Sequence, residues 1–363
     1  MNNRELFNAI MHYEKFDRIP VCHWGVWPET LERWKKEGIQ EVPGQDFNIT
    51  VRDFLGVKPI DASVSVEIGL FPRFEEQTIE ETDEYRIFRQ GDGVIAQHWK
   101  NKSCIPHYID FTLKGPDWEK GWPEYKKRLQ PDPKRIPENL YEQIEKAVNA
   151  EVPISTPTGS MIGWIRDWIG VEGLAYLSYD NRDLLREMVD TLTDLVLWVL
   201  DQVLPKVKVD IGRGWEDICF RTGPLLSPDI FREVVTPNYR RIADKLLQYG
   251  CDLYLVDSDG MIEQLVPSWL EGGVNVMFPL EIGAWNADPM ELRKKFGKEL
   301  RIFGGINKLE IARGQAAIDE EIKRRIPIMR DGGYVPLPDH LIVPDTSIDN
   351  YMYYLKKISE LRF

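Results

Sequence analysis

The stretch that most constrains the fold is Cys251–Glu281, CDLYLVDSDGMIEQLVPSWLEGGVNVMFPLE. Asp252–Val256 is apolar and β-branched and runs into Asp257-Ser258-Asp259-Gly260. Met261–Glu271 has helical spacing, with Ile262, Leu265, Val266 and Leu270 on one stripe, and Gly272-Gly273 ends it. Val274–Phe278 reads as a second buried strand that ends at Pro279-Leu280-Glu281. Parallel strands joined by a helix form a right-handed unit, so both acidic turns belong at the same, C-terminal edge of a sheet. Carboxylates gathered at that edge are expected to form a catalytic face.

The rest of the chain repeats the theme. Candidate strands are Ile19–His23, Lys58–Val66, Val152–Thr156, Lys208–Gly212, Arg301–Gly304 and Gly333–Pro336, in addition to the two above. From the third onward each is followed by helix. Ser227-Pro228-Asp229 caps one helix, with a bend expected at Pro237, and Asp288-Pro289-Met290-Glu291 opens another. Eight alternating units predict an α/β fold, a single (β/α)8 TIM barrel. A doubly wound open sheet is the alternative, but no GxGxxG follows any strand. Residues 68–150 differ in character. Glu84–Gln90 and Val94–Lys100 alternate around Gly91-Asp92-Gly93, a hairpin signal, and Pro137–Asn149 reads as a helix. This segment is expected to be an inserted hairpin/helix region on the barrel rim, within one domain spanning 1–363.

At 363 residues a prior of roughly 150 residues per domain suggests two domains, but α/β barrels exceed it as one. No apolar run reaches membrane-spanning length, and the N-terminus lacks a signal-like core, so a cytoplasmic protein is expected. Cys22, Cys104, Cys219 and Cys251 are far apart and without CxxC spacing, which fits reduced thiols. The net charge of −13 argues against a nucleic-acid partner.

The predicted strand ends supply the candidate site. Closure sets strand eight beside strand one, so His340 and His23 are expected to converge with Asp257 and Glu216 as the catalytic group. Clustered carboxylates raise one another's pKa, which suits acid–base work. Two imidazoles and several carboxylates at one mouth are also a donor set for zinc, with His340, Asp257, Asp259 and Glu281 as ligands. No compact HExxH spacing accompanies them, and carboxylates at a barrel mouth also pair with arginines or cap helices. Trp24, Trp27, Trp164 and Trp215 predict an aromatic-lined pocket for a flat or methylated organic substrate, with Asn307 beside it, although any single tryptophan is more often core.

The segments FPRFEEQTIEETDEYRIFRQGDGV, WEDICFRTGPLLSPDIFREVVTPNYRRI, LVDSDG, FGGINK and GGYVPLPDHLIVPDTSIDNYMYYL resemble the uroporphyrinogen decarboxylase superfamily. The resemblance covers nearly the whole chain and implies a single (β/α)8 barrel. It implies one of two chemistries. Decarboxylases of the superfamily carry an arginine-rich segment after the first strand. Here that place reads HWGVWPETLERW, with Arg33 as its only arginine. The other group is the cobalamin-dependent methyltransferases. Its thiol-methylating members hold zinc with an HxC pattern after strand five, where this chain has Asp257-Ser258-Asp259. What remains resembles the branch that moves a methyl group from a small methylated substrate, of the methyl aryl ether or methylamine type, to a corrinoid protein. O-demethylation in anaerobic metabolism is the setting this implies, and a homodimer is compatible with it. The alternatives are a uroporphyrinogen decarboxylase-type lyase and a non-catalytic corrinoid- or porphyrin-binding barrel.

Overall fold

The computed structural model describes residues 1–101 and 106–363. Its centre is a curled parallel sheet. The first strand, β1 (Cys22–His23), pairs in parallel with β2 (Lys58–Pro59). After two intervening residues the chain changes neighbours, and β3 (Ala62–Ser63) pairs with β8 (Ile154–Pro157). Proline has no backbone N–H to give a ladder, and Pro59 lies at the point where one continuous strand was expected. Between β3 and β8 stands a four-stranded antiparallel sheet of β4 (Gln77–Glu81), β5 (Tyr85–Arg89), β6 (Val94–Trp99) and β7 (His107–Phe111). The Gly91-Asp92-Gly93 hairpin joins β5 to β6, with one further strand on each side. A helix over Trp118–Lys126 accompanies the one at Leu140–Asn149.

The barrel continues through β9 (Ile211–Trp215), a short hairpin of β10 (Cys219–Phe220) and β11 (Gly223–Pro224), then β12 (Tyr254–Asp257), β13 (Val276–Leu280), β14 (Arg301–Ile306) and β15 (Tyr334–Pro338). Seven strands run in the order β15-β14-β13-β12-β9-β8-β3, all parallel. The seam to β1 is bridged at the mouth, where Ile342 N–H donates to Gly25 O and Trp27 N–H donates to Ile342 O, each at 3.2 Å. The architecture is a (β/α)8-type barrel. Every residue of β13 and β15 is buried, as expected for strands covered on both faces.

The fourth barrel strand sits three residues later than the sequence suggests. Lys206–Ile211 alternates apolar and polar residues and mimics a half-buried strand, whereas Ile211–Trp215 is weakened on paper by Gly212 and Gly214. Both glycines are demanded by packing. A Cβ on Gly212 would lie 2.4 Å from Leu246 Cδ1, and one on Gly214 would lie 3.1 Å from Thr158 Oγ1. The helix capped near Ser227 breaks at Val235 into Pro228–Val234 and Thr236–Gln248, with Pro237 in the first turn of the second piece. Cys22, Cys219 and Cys251 are unpaired, and Cys104 lies outside the described residues. Among the described residues, no helix is long and apolar enough to cross a membrane.

Candidate active site

The ends of β9, β12, β13, β14 and β15 gather Asp217, Asp257, Asp259, Glu281, Lys308 and His340. His340 Nε2 lies 3.1 Å from Asp259 Oδ2. Trp27 stacks on the imidazole with ring centroids 5.5 Å apart, and Trp24 meets it edge-on at 5.6 Å. The turn that carries Asp259 is held from both sides. Asp259 N–H donates to Asp217 Oδ1 at 3.1 Å, and Gly260 N–H donates to Glu281 Oε2 at 2.9 Å. Gly260 has φ +82°, and a Cβ there would lie 2.4 Å from Cys219 O, so the sharp turn after β12 needs glycine. Asp339 is fully buried and ties three loops together. It accepts from Ile282 N–H, Gly283 N–H and Lys308 N–H at 3.0–3.1 Å.

These contacts set the protonation states. Burial drives the His340 ring toward its neutral form, but the hydrogen bond and charge of Asp259, with Glu281 behind it, raise its pKa above the ordinary 6.5 despite Lys308. Burial pushes Asp257 up to about 7, against the nearby Arg213 and with help from Asp217 and Asp259. Asp217 and Glu281 are raised as well, again chiefly by burial. Crowded, half-desolvated carboxylates beside a histidine whose pKa is raised form a site suited to proton transfer.

Several residues expected at this mouth stand elsewhere. His23 is 1% exposed and its Nδ1 lies 2.8 Å from the Tyr351 hydroxyl, on the outer helix Ile348–Glu360. Burial, with Arg52 adding, lowers its pKa to about 3. Successive residues of a strand face opposite sides, so Trp24, not His23, turns into the barrel. Glu216 is also 1% exposed and its oxygens are fully engaged. It accepts from Met161, Ile162 and Gly163 N–H at 2.7–2.9 Å, from Ser160 Oγ at 3.1 Å, and from the Tyr239 hydroxyl. It therefore caps the helix Gly163–Asp180. Asn307 caps its own helix, accepting from Leu309 N–H at 2.9 Å.

The four expected metal ligands are interleaved with cations. Asp257 lies 3.8 Å from Arg213 Nη2, and Glu281 lies 3.7 Å from Lys308 Nζ. Of the four, His340 and Asp259 alone are in contact. Among the described residues, no three His, Cys, Asp or Glu side chains are grouped to hold a metal. As arranged, this donor set does not fit zinc. The tryptophans divide likewise. Trp24 and Trp27 flank His340. Trp215 hydrogen-bonds to Asp217 and lies under the Arg166 guanidinium, 5.4 Å from its ring. Trp164 lines a separate cavity of about 630 Å³ under the rim sheet, with Glu67, Gln90, Asp92, His98 and Asp167. Arg213 escaped the sequence reading. An arginine flanked by glycines inside an apolar barrel strand was the available signal, since such a charge must find a carboxylate within the barrel.

A parallel barrel with an acidic, histidine-bearing mouth at its C-terminal edge defines an enzyme-like class of α/β protein. Residues 127–361 match the family model described as uroporphyrinogen decarboxylase (URO-D), and the chain belongs to that family. A solved methyltransferase from Methanosarcina mazei is 14% identical, with a TM-score of 0.59 and coverage of 99% of each chain, a likeness of fold. A B12-independent methionine synthase from Shewanella sp. W3-18-1 is 13% identical over 94% of each chain, with a TM-score of 0.44. No curated protein matches the chain.

Proposed function

We propose that this protein transfers a methyl group from a small methylated donor, of the methyl aryl ether or methylamine type, to a reduced corrinoid on a partner protein. The observation that carries the reading is the His340–Asp259 pair at the mouth, flanked by Trp24 and Trp27. The pair is reachable from outside, with side chains 17% and 34% exposed, so a donor can sit between it and a docked carrier. The corrinoid supplies the nucleophile that takes the methyl group. The barrel must then improve the leaving group. As the methyl–heteroatom bond breaks, its electron pair stays on the oxygen or nitrogen. Asp259 engages His340 Nε2, so Nδ1–H is the proton delivered to that heteroatom. Asp259 stabilises the imidazolium and orients it, while the two indoles position the donor and exclude water.

The reading is tested by offering methoxylated aromatics and methylated amines to the enzyme with a corrinoid protein, and following methylation of the reduced corrinoid by absorbance. Transfer from at least one donor class is expected. No transfer, with uroporphyrinogen decarboxylated instead, would replace the reading with a lyase.

The pH profile follows from the raised His340 pKa. A reaction that needs protonated His340 loses rate as pH rises through that value, above the ordinary 6.5. In Asp259→Asn burial dominates, so the alkaline limb of kcat/KM should move to lower pH, while Asp257→Asn, which removes a more distant charge that His340 also feels, should move it less. A limb that Asp259→Asn does not move assigns the proton to another group.

A further inference from the structure

Where the chain passes from β2 to β3 at Ile60-Asp61, the barrel wall is interrupted. A cavity of about 800 Å³ occupies the gap, between the helices Phe47–Leu55 and Leu140–Asn149. His23, Trp24, Arg52, Asp61, Lys146 and Arg213 are among the residues that line it. Most of its charges are already matched. Arg213 pairs with Asp61 at 3.2 Å and reaches Asp257 at 3.8 Å, and Lys146 pairs with Glu142 at 2.7 Å. Arg52 is half-buried and has no carboxylate partner among the described residues.

His23 supplies an independent observation. Its ring is 1% exposed, and Nε2 is buried with no hydrogen-bond partner. The buried Tyr351 hydroxyl has no other acceptor among the described residues, so it donates to Nδ1 and leaves the ring proton on Nε2. A buried N–H without an acceptor, on the same cavity as an unpaired guanidinium whose charge it feels, is satisfied by a group that only accepts. Trp24 joins this cavity to the mouth, because the same ring lies 5.6 Å from His340.

We infer that this cavity binds the carboxylate of a small organic acid through Arg52 and His23 Nε2, with the acid's apolar body lying along Trp24 toward His340. The volume has ample room for a one-ring compound and accompanying water. This deepens the methyl-transfer reading, on which the identity of the end near His340 rests: the donor would be a methylated acid rather than a neutral ether.

Binding needs no turnover, so calorimetry on the full chain tests the inference directly. The probes are the methoxybenzoates, their methyl esters, methoxybenzene and inorganic phosphate. The acids should bind about tenfold or more tightly than the esters or methoxybenzene, as for one charged hydrogen-bonded contact. Arg52→Gln should weaken the acids by a similar factor and leave the neutral probes unchanged, and Arg52→Lys should restore part of the loss. Thermal melts show whether each variant is folded. Esters that bind as well as the acids, an unaffected Arg52→Gln variant, or phosphate alone binding as tightly as the acids overturns the inference. Acid binding without methyl transfer to any corrinoid carrier leaves this site standing and removes the methyl-transfer reading. Turnover of neutral donors without acid binding does the reverse.

Discussion

Replacing His340 with alanine is expected to slow methyl transfer from an ordinary aryl methyl ether by about 10²–10⁴-fold, or about 3–5 kcal/mol of transition-state stabilisation. The loss should depend on the leaving group. A phenolate or neutral amine bearing electron-withdrawing substituents, or a quaternary ammonium, departs without a proton and should lose far less. The fold should survive, because His340 lies in the loop after β15 and packs on Trp24 and Trp27 at the mouth rather than in the barrel core. Parallel single-turnover measurements over a series of leaving-group pKa values check this. A variant that slows good and poor leaving groups equally has lost positioning, and the proton-donor role would be wrong.

Glu216→Ala should act on stability instead. The substitution leaves three backbone N–H groups at the start of Gly163–Asp180, the Ser160 hydroxyl and the Tyr239 hydroxyl without their acceptor, in a site that is 1% exposed. Each stranded buried donor costs about 1–3 kcal/mol, partly relieved by water entering the space, so a net loss of about 3–5 kcal/mol is expected. A large drop in melting temperature, with the surviving folded fraction retaining activity at low temperature, is the outcome this predicts. Unchanged melting with abolished activity would return Glu216 to the catalytic group.

The barrel was legible because its strands are continuous apolar runs followed by acidic or glycine-rich turns, and its helices carry stripes and caps. The places where the reading slipped share a cause. Ile211–Trp215 is built with glycines because Leu246 and Thr158 crowd it, and crowding between distant segments leaves no trace in local alternation. The rim sheet likewise shows its Gly-Asp-Gly hairpin plainly, but the outer strands Gln77–Glu81 and His107–Phe111 are mostly exposed and have no buried face to announce them.

By itself the sequence determined that Asp257, Asp259, Glu281 and His340 would lie at one edge, since parallel strands joined by helices allow no other placement. The tertiary structure alone decided which of them meet. His340 pairs with Asp259 rather than Asp257 because Arg213, arriving from β9, takes Asp257, and because Asp217 and Glu281 hold the Asp259 turn from two neighbouring strands. His23 faces Tyr351 and Trp24 faces His340 because a strand alternates its sides, and a two-residue strand preceded and followed by loop does not disclose its phase. Glu216 became a cap because the helix beginning at Gly163 opens directly over it, and buried N–H groups claim the nearest carboxylate before any substrate can.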